Sequence, residues 1–470
     1  MSPETTTLPR LTRENHGRPA APVRIVHLGI GNFTRAHQAW YTEHAPDAAQ
    51  WGIAAFTGRR PDTAEALSPQ DGLYTLITRH AEGDTFEVIG SLSAVHPASD
   101  TAAFLGYLRA PETAIITTTV TEAGYMRGAD GHLALGDPAV ARDVEALRAD
   151  PEAPTTTTPA KVVGGFLARR AAGTGAIAVL PCDNLPDNGP TFRGVVEELA
   201  AEVDPTLQEW MEANVSWATS MVDRITPATT DAEREAVAAA EGYDDASPVP
   251  TEPFSEWVVA GEFPAGRPAW EESGVTVVDD VHPFEQRKLW MLNGSHSLMA
   301  YAATVVGHET VADAIADPTV RGWVEEWWDV AGEHLQVGAE DVKAYRAALL
   351  DRFSNPRVRH LLAQIAADGS QKIPVRILPA LRLEREAGRL PDGPVRALAA
   401  WVLHLQGHGA PVKDAREADV VAAAQGTVAE ATTGILKVVG PDLLPDDELV
   451  AAVVAKADEL LALEGTAKKS

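Results

Sequence analysis

The spacing of apolar and polar residues changes period a little past the middle of the chain. Up to about residue 280 the apolar residues fall in short β-branched runs separated by turn-forming residues, which predicts strands. These runs are Val23–Leu28, Gly52–Phe56, 75–78, 86–89, 113–120, 176–180, 256–263 and 275–278. Helical spacing interrupts them at 38–44 and 162–170, with a threonine- and proline-rich loop at 151–160 between. From residue 281 onward the period is helical: 319–333, 344–353, 358–367, 379–387 and 395–405, with more near the C-terminus. Strands alternating with helices predict an α/β nucleotide-binding fold over residues 1–280, and the later period predicts a mostly α-helical domain over 281–470. Residues 1–21 read as a polar surface arm, 231–272 as an acidic extension broken by prolines, and Lys468 to Ser470 as a frayed end.

Two stretches break their own pattern. The first run ends in Gly29-Ile30-Gly31-Asn32-Phe33-Thr34-Arg35-Ala36-His37 and is followed by a helix. In a strand, glycine turn and helix of this kind, the first glycine permits the tight turn and the second lets a pyrophosphate approach the backbone. The helix N-terminus then supplies unpaired N–H groups. Thr34 stands where Gly-x-Gly-x-x-Gly requires a third glycine. The second stretch is apolar at helical spacing through Phe284, Leu289, Leu292 and Met299, yet it carries Lys288, Asn293 and His296. At about 100° per residue, Asn293 and His296 lie about 60° apart and Lys288 about 80° from His296. Lys288 is also the only lysine between Lys161 and Lys343. On the helix alone the trio is either a catalytic face or a snorkelling lysine with two satisfied polar neighbours.

Strand tips add further candidates. After Gly52–Phe56 come Thr57-Gly58-Arg59-Arg60-Pro61-Asp62, where such a fold meets the adenosine ribose. An acid there suits the 2′-hydroxyl of NAD and arginines suit the 2′-phosphate of NADP, while two solvated loop arginines need neither. Glu122 and Asn184 each follow a buried strand and so point to the crevice, although a loop carboxylate and a turn-forming Asp-Asn pair explain them without a ligand.

These residues carry a resemblance. The chain has Lys-x-x-x-x-Asn-x-x-His at 288–296, Gly-x-Gly-Asn-Phe-x-Arg-Ala-His at 29–37 and Thr-Val-Thr-Glu-x-Gly-Tyr at 119–125. It also has Cys-Asp-Asn-Leu-Pro at 182–186 and Met-Val-Asp-Arg-Ile-Thr-Pro at 221–227, all in one order. This set resembles the polyol-specific long-chain dehydrogenases, the family of mannitol 2-dehydrogenase and fructuronate reductase, whose nucleotide domain is Rossmann-like. The stretch 368–376 resembles that family as well. The resemblance implies Lys288 as catalytic acid/base, with Asn184, Asn293 and His296 holding the reacting oxygen and its neighbours. Glu122 would be a proton outlet. Gly29, Gly31, Asn32, Phe33 and Arg35 would close over the cofactor, with Asp223 beside its nicotinamide half and Arg59 near its ribose. Lys372 and Arg376 would reach substrate oxygens or else cap a helix. The cofactor implied is NAD, with NADP possible from Arg59 and Arg60. The substrate pair implied is a polyol and a ketose, D-mannitol and D-fructose first. Hexuronate reduction is the alternative, in which Lys372, Arg376 or Arg224 supplies a cation for the substrate carboxylate. A non-catalytic NAD-binding sensor is the reading of another class. For the lysine to act near neutral pH its pKa must fall from about 10.4 toward roughly 7 to 8.

Composition narrows the partners. A net charge of −28 argues against nucleic acid and anionic membranes. No apolar run reaches the roughly 20 residues of a membrane span. A single cysteine, Cys182, excludes an internal disulfide and a cysteine-rich zinc site. No Tyr-x-x-x-Lys pair, phosphate loop or His-Glu-x-x-His occurs. The expectation is a cytoplasmic enzyme without a metal, monomeric by resemblance.

Overall fold

The computed structural model describes residues 8–17, 19–128 and 130–467; the expected frayed end at 468–470 and part of the polar arm lie outside them. The chain divides into two units, Met1–Val281 and His282–Ser470. In the first, the strands are β1 (Val23–Leu28), β2 (Gly52–Phe56), β3 (Tyr74–Arg79), β4 (Asp84–Ile89), β5 (Leu92–His96), β6 (Ile115–Thr118), β7 (Ile177–Pro181), β8 (Val215–Trp217), β9 (Thr219–Asp223), β10 (Val249–Thr251), β11 (Glu256–Ala260) and β12 (Thr276–Val278). Six of them form one sheet in the order β5-β2-β1-β6-β7-β8, with every neighbouring pair parallel.

Successive side chains on a strand point to opposite faces, so a parallel sheet needs cover on both. The central strands show this residue by residue. Val26, Leu28, Ala54, Phe56 and Ile116 enter one core with Phe104, Leu108, Phe166 and Phe192 from helices. Their neighbours Ile25, Ile53, Ala55 and Ile115 enter the other core with Tyr41, Leu67, Trp257 and Trp270. Arg169 ties the first layer together. It is fully buried, and its guanidinium donates to the carbonyls of Leu108, Ala110, Thr113, Gly175 and Ala176. Two smaller sheets, β10-β3-β4 and β12-β11-β9, complete the unit.

The strand order reverses between β1 and β6, which is the switch point where open α/β sheets bind ligands at the carboxyl ends of their strands. The carboxyl ends of β1, β2, β5, β6 and β7 therefore share one edge.

The second unit is helical. One helix runs from His282 to Val306 without interruption but changes its winding four times on the way. From Gly294 to Ala303 every residue on it is buried, as befits a helix covered on all sides. Helices Pro318–Glu333, Gly369–Arg376 and Asp392–Leu405 pack around it.

Several elements differ from expectation. β5 and the helices Pro138–Ala149 and Asn188–Val203 have no counterpart among the predicted runs, and helix Asp231–Glu241 opens the stretch expected as an acidic extension. The helix expected over 358–367 shrinks to Leu362–Ile365. Its first residues pair instead with Glu309 to Val311 through Val311 N–H to His360 O and Leu362 N–H to Glu309 O, a short bridge that no local period announces.

Candidate active site

Gly29 has φ of +100°, and a Cβ there would come within 2.2 Å of Thr119 O, so only glycine joins β1 to the next helix. Thr34 explains the missing third glycine. It is fully buried and its hydroxyl shares a hydrogen bond of 2.9 Å with His27 Nε2, while His27 Nδ1 lies 2.8 Å from Thr117 Oγ1. The imidazole thus joins β1, β6 and the turn. Burial pushes its pKa down to about 3, so it is neutral and one ring nitrogen donates while the other accepts.

Side chains of the turn fix its shape. Asn32 Nδ2 donates to Pro227 O at 2.7 Å and Thr229 Oγ1 at 3.2 Å, latching the turn to the segment after β9. Arg35, expected to close over the cofactor, makes its bonds inside the domain. It is buried, and its guanidinium donates to Gly31 O, Asn32 Oδ1, Ser247 O and Ser247 Oγ. All three of its nitrogens are committed inside the domain, so it shapes the turn from behind. Burial lowers its pKa to about 10, which leaves the cation intact. The turn fits a dinucleotide phosphate. A Cβ at Gly31 would meet nothing nearer than Gly29 O at 4.0 Å, so the backbone is open in front. The first N–H groups of the following helix, at Asn32 and Phe33, have no intrahelical acceptor.

At the neighbouring tips Asp183 organises the loops. It is buried and accepts from Thr118 Oγ1 at 3.1 Å, from Tyr125 O–H at 2.7 Å and from Val120 N–H. Burial raises its pKa to about 6 against the pull of these donors. Asn188 fastens the same loop to β9 by donating to Asp183 O and Ser220 O. Asn184 and Glu122 ride exposed on these loops, Glu122 at the start of a short 3-10 turn. Asp223 is buried at the end of β9, in one of the small sheets. Arg224 is buried, and its guanidinium donates to Glu252 O and Ala36 O and lies over the Trp40 ring. At the β2 tip Arg59 and Arg60 are exposed, and Arg60 pairs with Asp62 at 3.4 Å.

In the second unit the helix around Lys288 is not α-helical. Lys288–Asn293 winds as a π-helix, as does Met299–Ala303. This corrects the helical-wheel arithmetic. A regular helix would set Lys288 and Asn293 about 140° apart, whereas i→i+5 winding brings residue 293 close to the azimuth of residue 288. Lys288 and His296 are buried and Asn293 is half-buried. Arg376 reaches this face, with Nη1 donating to Asn293 O at 3.3 Å and Ser297 Oγ at 3.2 Å. Lys372 donates to Ile365 O and Ala367 O, just past the end of the helix Leu362–Ile365.

His296 sits among cations. Its ring is 5.0 Å from that of His360 and 5.1 Å from Phe353. Its pKa is pushed well below the usual value, first by burial and then by His360, Arg352, Arg376 and Lys372. Burial also depresses His360, Lys372 and Arg376, the last to about 10. Ser297, Arg352 and His360 had escaped the sequence reading. The only signal for them was their place in stretches that read as ordinary amphipathic helices.

A family profile described as the mannitol dehydrogenase Rossmann domain matches residues 23–272, and one for the mannitol dehydrogenase C-terminal domain matches 280–461. The chain belongs to the mannitol dehydrogenase family. Members of this family are polyol dehydrogenases, and so is this chain. It is 39% identical over 394 residues to the D-mannonate oxidoreductase of Escherichia coli K12, covering 82% of this chain and 80% of that one. A substrate-free D-sorbitol dehydrogenase superposes with a TM-score of 0.86 at 31% identity, covering 97% of each chain. The mannitol 2-dehydrogenase of Pseudomonas fluorescens, solved with NAD and D-mannitol, superposes at 0.76 with 31% identity and 96% of each chain. No helix among the described residues is long and apolar enough to cross a membrane.

Proposed function

We propose that this member of the mannitol dehydrogenase family uses NAD to interconvert D-mannitol and D-fructose, acting at a secondary CH–OH group. The observation that carries the reading is the buried Lys288 at the start of a π-helical turn that ends at Asn293, one helical turn before the neutral His296. NAD, when bound, supplies the hydride acceptor. Lys288 takes the hydroxyl proton, and Asn293 donates to the oxygen as negative charge develops on it, where preorganised dipoles are most effective. His296, held neutral, positions an adjacent hydroxyl rather than competing as a second acid. The glycine turn takes the cofactor phosphates on backbone N–H groups, and Asp223 stands toward the nicotinamide half. The enzyme works as a monomer without a metal.

A second reading has one observation in its favour. Arg376, Arg352, Lys372 and His360 all bear on His296, in a chain whose net charge is −28. Such a cluster suits a substrate carboxylate, and an aldonate such as D-mannonate in exchange with its keto acid is then the substrate pair. A panel of D-mannitol, D-sorbitol, D-arabinitol and D-mannonate, followed by nicotinamide reduction with and without chelator, decides between them. Turnover of D-mannitol alone supports the first reading and of D-mannonate alone the second. Loss of all activity on chelation, restored by zinc, overturns both.

A further inference from the structure

The residues Leu289, Trp290, Met291 and Leu292 have no local reason to leave the α-helix, whose propensity they satisfy. π-turns are rare and need a cause. Here the cause is visible in the hydrogen bonds. A regular helix would give Trp290 O to the N–H of Gly294, four residues on. Gly294 N–H instead bonds Leu289 O, five residues back, and Met291 O. The released carbonyl of Trp290 accepts from the indole N–H of Trp327 at 2.8 Å. The next carbonyl, Met291 O, accepts from the indole N–H of Trp328 at 3.0 Å and from Ser295 Oγ.

We propose that Trp327 and Trp328 are positioning residues for the reaction: their indole N–H groups hold the Lys288–Asn293 turn in its π form, and thereby keep the lysine and the asparagine on one face. This rests on the reading of Lys288 as the base. Both tryptophans are fully buried on the helix Pro318–Glu333, adjacent in sequence, and each is aimed at a carbonyl of the same turn. The facing surface is cut to receive them. A Cβ at Gly294 would come within 2.7 Å of Trp327 Nε1, so no larger residue leaves room for the indole. Two other fully buried tryptophans lack such a partner: the indole nitrogens of Trp401 and Trp257 have no hydrogen-bond acceptor. An unmet indole is thus tolerated in this protein, and the aim of Trp327 and Trp328 is not a general requirement of burial.

The test compares Trp327→Phe, Trp328→Phe and Gly294→Ala with Trp401→Phe as a control of equal chemistry in the same unit. For each, kcat and KM of alcohol oxidation are measured across pH, with nucleotide affinity and thermal midpoint. The charged groups gathered around His296, namely His360, Arg352, Lys372 and Arg376, are unchanged in all of them. Trp327→Phe and Gly294→Ala are expected to lower kcat by about 10²-fold, the usual cost of a misplacement of about 1 Å. They should also move the pH at which rate is lost, with nucleotide affinity kept. Trp328→Phe should do so less, because Ser295 still serves Met291 O. Trp401→Phe should lower the thermal midpoint and leave kcat and the pH profile in place. Gly294→Ala reaches the same turn with both tryptophans present, so a poorly folding tryptophan variant does not empty the test. Profiles of the three variants that coincide with that of Trp401→Phe overturn the proposal. Lys288→Ala separates the two claims: if it retains the acid limb, the base assignment itself fails. If it loses the limb while the tryptophan variants keep theirs, only the positioning role fails.

Discussion

The cradle of the first unit and the lysine face of the second use polar side chains in opposite ways. Around the glycine turn nearly every charged or amide group is bonded inward. Asn32, Arg35, Asp183, Asn188 and Arg224 donate to or accept from backbone and from each other, and what they present outward is shaped backbone. Around Lys288 the order is reversed. The backbone is the irregular part, with two indole N–H groups on its carbonyls, and Lys288 and the neutral His296 are the buried side chains that this face carries. A surface that binds a large, invariant phosphate ligand does best with rigid N–H groups. One that must discriminate among sugar hydroxyls and move a proton does best with side chains whose charge state the protein controls.

The sharpest way to break this comparison is Lys288→Ala. Turnover should fall by roughly 10²- to 10⁴-fold with cofactor affinity nearly intact, as seen by nucleotide titration and steady-state kinetics. A loss confined to stability would make the lysine part of the core and remove the contrast. Next in size is Arg376→Leu. If its guanidinium meets a substrate carboxylate, kcat/KM for D-mannonate should drop by about 10- to 100-fold and that for D-mannitol much less, since a charged hydrogen bond contributes about 1.5–3 kcal/mol. Equal losses on both substrates would mean that Arg376 only props Asn293 and Ser297.

On the cradle side, His27→Gln probes stability rather than rate. The unfolded chain protonates this histidine near pH 6.5 and the folded chain only near about 3. Protons therefore favour unfolding, and stability present above pH 6.5 is lost as pH falls toward 3. Denaturant melts across that window should show a shallower acid decline in the variant, together with lower stability at neutral pH from the broken link to Thr34 and Thr117. An unchanged slope would assign the decline to His404 and His296, which burial depresses in the same direction. The smallest effect is expected at the exposed β2 tip, where Arg59→Ala and Arg60→Ala should weaken NADP by a few-fold more than NAD, in the range of a surface charge pair. Equal weakening would leave these arginines merely solvated.

Much of the fold is legible in the sequence. The strands β1, β2 and β7 are β-branched or apolar runs ending in turn residues, and the change to helical period near residue 280 falls where the second unit begins. What escaped was non-local. No period reveals that Arg35 turns inward, because Ser247, which accepts from it, lies 212 residues away. Thr34 looked like a defect in a fingerprint until His27 and Thr117 supplied its partners. The π-helical turn was invisible for the same reason: its residues are good α-formers, and the groups that unwind it stand 37 positions further on.

The helix from His282 to Val306 has a consequence for how this chain tolerates changes of length. A π-turn holds one residue more than the α-turn it replaces, and this helix has two such segments. Deleting one residue from 289–292 would let the turn relax into ordinary α-helix, with Asn293 four residues after Lys288 and about 40° from it. The two would keep a common face, and the buried run through Ala303 would keep nearly its old neighbours. The same loss in the regular stretch Gly294–Leu298 would turn everything beyond it by about 100°, so a codon lost from the π-turn is the milder change of the two.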